Sequence, residues 1–168
     1  MADNYVKGSF AFTCTQDELA LLSEAFNATS DLVIESDAGD PSPALLAMLP
    51  PSDPADPWSG LCDLFGDPDF PDLGADIHSD VDRENAGSCI VYIYGTETFQ
   101  PDPIAQLIQR CCQATLKQGP IGFEWAETCS KPRIGEFGGG WCAIFPDRIE
   151  FESTRQALSA ALDEGGKS

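Results

Sequence analysis

The stretch Gly8-Ser9-Phe10-Ala11-Phe12-Thr13-Cys14 alternates apolar and polar residues as a half-buried strand does. Thr15 follows as an N-cap, Glu18 completes a capping box, and Leu19, Leu22 and Phe26 recur at helical spacing. Further on, Ser88-Cys89-Ile90-Val91-Tyr92-Ile93-Tyr94 is apolar on both faces, which predicts a strand inside a sheet. A helix begins at Pro101 or Pro103, carries Ile104, Leu107, Ile108, Cys111 and Leu116, and ends at Gly119-Pro120. Ile121–Ala126 reads as a strand, and a glycine-rich bend leads into a second strand at Trp141–Phe145. Pro146-Asp147 turns the chain into a third strand, Arg148–Phe151, and Ser153 or Thr154 caps a last helix through Leu158 and Leu162. The order predicts an α+β fold, mainly an antiparallel sheet with helices packed on one face.

Between about residues 29 and 86 this grammar is interrupted by an acidic, proline-rich insertion. Eight of the 13 prolines fall between Pro41 and Pro71. Two apolar islands break the polar run: Ala44–Leu49, a short helix, and Trp58, Leu61, Leu64 and Phe65, spaced for one or two helical turns. The rest reads as loop or extended chain. The 168 residues, 42% of them apolar, are enough for a single domain carrying this insertion.

Charge changes the picture most. There are 28 acids against nine bases, a formal net charge of −19. No lysine or arginine stands between Lys7 and Arg83, an interval holding 16 acids. Such a field repels nucleic acid and anionic lipid, so direct DNA, RNA or membrane binding is not expected, and a basic partner is. Spread evenly over roughly 8,000 Å² of surface, the acids stand about one per 290 Å², too sparse to imitate the phosphates of DNA at about one per 100 Å². Mimicry therefore requires clustering on one face. The candidate contact residues are Asp53, Asp56, Asp63, Asp67, Asp69, Asp72, Asp76, Asp80, Asp82 and Glu84, with Trp58 and Phe65 either docking into a partner or pinning the insertion to its own core. A merely solvated acidic surface is the alternative.

Other chemistry finds little support. Asp67-x-Asp69-x-x-Asp72 and Asp80-x-Asp82-x-Glu84 do not fit a twelve-residue calcium loop. The seven cysteines include no CxxC pair and there is one histidine, His78, so no zinc site and no cofactor is expected, and the thiols read as reduced small hydrophobes. Gly138-Gly139-Gly140 lacks the Lys-Ser/Thr of a phosphate loop, and its glycines read as backbone packing. No catalytic set emerges, although Trp125, Lys131, Glu136 and Trp141 mark where an enzyme's site would lie. With no 18-residue apolar run and no leader-like start, the expectation is a cytoplasmic protein.

The segment Phe123-Glu124-Trp125-Ala126-x-Thr128-Cys129-Ser130-Lys131-Pro132-Arg133-x-Gly135-Glu136-Phe137-Gly138-Gly139-Gly140 resembles a family of small proteins of phages, plasmids and other mobile elements, over roughly residues 88–162. That family has no assigned chemistry, so the resemblance carries no catalytic residue. It implies an anti-defence protein, anti-CRISPR or anti-restriction, by analogy with the small acidic inhibitors such elements encode. The resulting expectation is a non-enzymatic inhibitor that blocks a basic nucleic-acid-binding surface of a host defence complex. An interaction adaptor or immunity-type protein docking through Trp58 and Phe65 is the alternative.

Overall fold

The computed structural model describes residues 1–166. Strand β1 (Asn4–Thr15) runs into helix α1 (Gln16–Val33), and the sequence signal for that junction is realised: Thr15 caps the helix and Glu18 closes the capping box. The insertion contributes α2 (Pro43–Met48), α3 (Ser59–Cys62) and strand β2 (Asp76–Val81). There follow β3 (Ser88–Gly95), α4 (Pro101–Cys111), α5 (Gln113–Leu116), β4 (Ile121–Cys129), β5 (Gly138–Ile144), β6 (Ile149–Ser153) and α6 (Thr154–Gly165). Six strands form one sheet in the order β2-β3-β1-β4-β5-β6, with every neighbouring pair antiparallel. The fold is α+β.

The central strand serves two partners in turn. Its first half pairs with β4 from Asn4 to Gly8, and its second half pairs with β3 from Gly8 to Thr15. On the free side of the first half, Val6 donates to Glu97 O at 2.8 Å and accepts from Phe99 N at 3.1 Å. Gly8 sits at the changeover because a Cβ there would lie 2.6 Å from the Phe99 ring.

The core lies on the helical face of the sheet. Leu22, Ala25 and Phe26 of α1 and Ile104, Leu107 and Ile108 of α4 meet Val91, Ile93, Phe123 and Ile144 from the strands. The insertion belongs to the same core, since Leu45, Leu49, Trp58, Leu61, Leu64, Phe65 and Leu73 join that cluster. Glu24 fastens its beginning by accepting from Ser42 N at 2.6 Å and Ser42 Oγ at 2.7 Å. By contrast, α6 buries no residue and leaves Leu158 and Leu162 exposed.

Three local expectations change in detail. Residues 76–81, read only as loop or extended chain, are an edge strand, because pairing with β3 satisfies their backbone whatever their low strand propensity. The helix expected from Pro101 to Leu116 breaks at Cys112, whose φ of −112° and ψ of 36° interrupt it without any proline or glycine. The strand after the glycine-rich bend begins at Gly138, so the three glycines lie within β5.

Glu18 has a second role. Buried to 5% exposure, it accepts from Thr15 N, Thr115 N (2.9 Å) and Thr115 Oγ1 (2.5 Å), tying α1 to α5. Burial raises its pKa, but the hydrogen bonds from Thr115 and Thr15 outweigh burial and hold it below the usual carboxylate value. A carboxyl whose pKa is lower folded than unfolded stabilises fully above the unfolded pKa and loses that contribution as pH falls through the folded one. Glu18→Ala, which orphans the Thr115 and Thr15 donors, is expected to cost at least about 2 kcal/mol at pH 7, with a smaller penalty below pH ~4. Urea unfolding at the two pH values checks this.

All seven cysteines are free, and five are buried. Burial pushes Cys111 and Cys142 up to about 12, so neither is a thiolate at neutral pH.

Candidate functional site

Side chains alternate between the two faces of a strand, so the register assigns one set to the core and the other to the uncovered face. On β3, Cys89, Val91 and Ile93 are buried, while Ile90, Tyr92 and Tyr94 point away from the helices. Their partners on β1 are Thr13, Ala11 and Ser9, and those on β2 are Asp80, His78 and Asp76. Across the rest of the sheet the same face carries Lys7, Gly122, Glu124, Ala126, Trp141, Ala143, Glu150 and Glu152. One transverse row reads Asp76, Tyr94, Ser9, then Glu124, Trp141, Glu152.

Small residues thus fill the middle of this face, aromatics flank them, and acids frame both edges. Tyr94 is 43% exposed and Trp141 40%. Among the described residues only Arg148 forms ion pairs, with Asp147 and with Glu150 at 2.8 Å. Asp76, Asp80, Glu124 and Glu152 therefore have no cationic partner there. Lys7 lies 5.3 Å from the centre of the Tyr5 ring, and His78 leans on Tyr92 with ring centres 6.1 Å apart.

The acids of the insertion divide into two groups. Asp76 and Asp80 reach the open face from β2. Asp53, Asp56, Asp63, Asp67, Asp69 and Asp72 flank α3 in a segment whose apolar residues enter the core, which puts them on the helical side. The acids from Asp53 to Glu84 therefore do not all share the one face that mimicry by this segment requires. Several of these acids also have a local task. Asp53, Asp56, Asp67 and Asp72 each accept, through Oδ1, from the backbone N–H two residues on, at 2.8 to 3.2 Å. Aspartate does this readily, and it explains much of the richness in aspartate over glutamate along this proline-rich path. Burial first, then the charges of Asp56, Asp63 and Asp69, push the Cys62 thiol above its usual pKa. Phe70, 53% exposed, sits between Asp69 and Asp72.

Three residues leave the set of contact candidates. Asp82 is buried and closes the β2–β3 turn, accepting from Glu84 N, Asn85 N and Asn85 Nδ2 at 2.9 to 3.2 Å. The Asn85 amide first, then the Glu84 N–H, hold its carboxyl below the usual value. Trp58 and Phe65, 6% and 8% exposed, are core residues, and the Trp58 indole donates to Gly39 O at 2.8 Å. They pin the insertion instead of presenting it. Glu84, in the turn itself, is exposed.

The glycines of β5 have a packing role. A Cβ on Gly140 would strike the Trp125 ring and Glu152 O, and Gly139 has a φ of +150° against Trp125 O. The loop before them is fastened by Asn4 Nδ2 donating to Glu136 at 2.5 Å and by Arg155 donating to Gly135 O at 2.5 Å. Of the four residues where an enzyme's site was placed, Trp125 lies on the helical side and Trp141 on the open face, so the sheet itself separates them. Glu136 is taken up by Asn4, and Lys131 lies exposed in the loop.

Sequence reasoning missed Glu124, Glu150, Glu152, Tyr92 and Tyr94 as surface candidates, and named Trp141 only as part of an enzyme's site. Their signal was the i, i+2 spacing of Glu150 and Glu152 and of the two tyrosines, each placing both members on one face of a strand. No helix among the described residues is long and apolar enough to cross a membrane. No family model, curated protein or solved structure matches the chain.

Proposed function

We propose that the protein is a non-enzymatic inhibitor whose open sheet face occupies a basic, nucleic-acid-binding surface of a host defence complex. The supporting observation is the uncovered face with Asp76, Asp80, Glu124 and Glu152 unpaired around Tyr92, Tyr94 and Trp141. Charges left without counterions repel one another and cost stability, which fits a face kept for a partner. Aromatics inside a charged frame are the composition of an energetic interface centre.

Charge density favours this face over the whole molecule. The 28 acids on 9937 Å² of surface average one per about 350 Å², against one per about 100 Å² for duplex DNA. Six strands about 4.8 Å apart and roughly 20 Å of strand length make a face of ~600 Å², so its four unpaired acids stand about one per 150 Å², with Lys7 the one base on the face outside an ion pair. That approaches the density of phosphates, on an area near that of one side of a small stable interface. The mobile-element origin rests on the resemblance through Ser130–Gly140, and cytoplasmic residence is proposed with it.

The protein itself should not bind nucleic acid. A labelled 20-base-pair duplex is expected to show no shift with ~10 µM protein at 150 mM salt, where repulsion acts over about 8 Å. A saturable shift contradicts the assignment. Captured on immobilised protein from host extract, the partner should be released by added duplex and should not be retained by a Trp141→Ala surface. Capture insensitive to both overturns the proposal.

A further inference from the structure

A cavity of about 640 Å³ opens on the helical side of the sheet, away from the open face, between the start of α4 and the β6–α6 junction. Its walls include Phe99, Trp125 and Phe151, with Trp125 and Phe151 set edge-to-face at 6.2 Å between ring centres. Three carboxylates, Glu97, Asp102 and Glu127, share the cavity, and no lysine, arginine or histidine lines it. None of the three is in an ion pair among the described residues. A space of this size, with both aromatic and carboxylate side chains in its walls, has the dimensions of a small-ligand site.

We infer that this cavity binds a small organic cation, an alkylammonium or alkylguanidinium group. The alkyl part lies against Pro101 and Phe151, the charge faces the ring of Trp125, and Glu127 with Asp102 or Glu97 balances it. Aromatic faces attract desolvated cations, tryptophan most strongly, and a neighbouring carboxylate adds a charge-assisted hydrogen bond. An anion is excluded by three uncompensated carboxylates, and a neutral apolar ligand leaves those carboxylates without a partner. A bare metal ion is a poorer occupant, because no three Asp, Glu, His or Cys side chains among the described residues stand close enough together to hold one. The cation comes either from a free amine or from an arginine or lysine side chain of a protein.

The test uses n-butylguanidinium, n-butylammonium and the uncharged n-butylurea, titrated calorimetrically into the whole protein at 150 mM salt. Butylguanidinium is expected to bind one equivalent with a Kd of roughly 0.1–1 mM, and butylurea not at all. Glu127→Gln should weaken it at least tenfold and Phe151→Leu at least threefold, while Asp163→Asn on α6 should leave it unchanged. Thermal melts confirm that each variant is folded, and if Phe151→Leu fails to fold, Glu127→Gln alone decides. A blocked Gly-Arg-Gly peptide identifies the source: tighter binding than butylguanidinium assigns a protein side chain, weaker binding a free amine. Binding of butylurea equal to that of the cations overturns the inference. So does weak multisite association with the general acidic surface that Glu127→Gln leaves unaltered, or no saturable binding at all.

Discussion

Converting Asp76, Asp80, Glu124 and Glu152 together to their amides is expected to weaken partner binding by two to three orders of magnitude while leaving the fold intact. All four side chains project from the open sheet face, and none has a cation partner or a side-chain hydrogen bond among the described residues. Charge pairs at an interface contribute from a few tenths to several kcal/mol each, and four at a modest ~0.7–1 kcal/mol give that range. Removing mutual repulsion is expected to leave the melting temperature of the free protein unchanged or slightly raised. The matched control is Asp63, Asp67, Asp69 and Asp72 changed in the same way. It removes the same formal charge from the helical side and should weaken binding by less than about tenfold, through the long-range field alone. Equal losses from the two quadruple variants show that total charge, not the open face, determines binding.

Trp58→Ala is expected to act on stability instead. The side chain is buried, its indole donates to Gly39 O, and it packs with the apolar residues that attach the insertion to the core. Truncating a buried tryptophan costs about 3–5 kcal/mol, or roughly 10–15 °C in melting temperature for a chain of this size. The affinity of the folded fraction should stay within about twofold of wild type. A variant with normal stability but lost binding instead restores Trp58 as a docking residue.

Much of the architecture was legible because it is written in local signals. Thr15 and Glu18 announce a capping box, Pro146-Asp147 a turn, and Ser153 a second cap, each a contact between near neighbours in sequence. The insertion was harder to read, because its order comes from partners distant in the chain. Asp76–Val81 has the composition of a loop and becomes a strand only because β3 offers it a paired edge. Trp58 and Phe65 sit among aspartates that suggest exposure, yet the aspartates turn the backbone so that those rings point inward.

The open face was hidden by a different ambiguity. Ile90, Tyr92 and Tyr94 count as apolar in a periodicity, so β3 read as buried on both sides, although it lies next to the edge strand with one face uncovered. The acids on that face come from β2, β4 and β6, which are far apart in sequence. Only the sheet order brings them together, and sheet order is set by non-local pairing. Conversely, the run of aspartates that dominated the sequence divides between two sides of the molecule.

The central claim is that a basic partner is held electrostatically by the open face. Its most direct test is the affinity of the purified partner for wild type and for the Asp76, Asp80, Glu124 and Glu152 amide variant, across 50 to 300 mM salt. Wild-type affinity is predicted to fall steeply with salt, and the variant's to be weaker at 50 mM and to fall with a visibly shallower slope, so that the two curves converge at high salt. Parallel curves of equal affinity, or a wild-type affinity that does not change with salt, contradict the account.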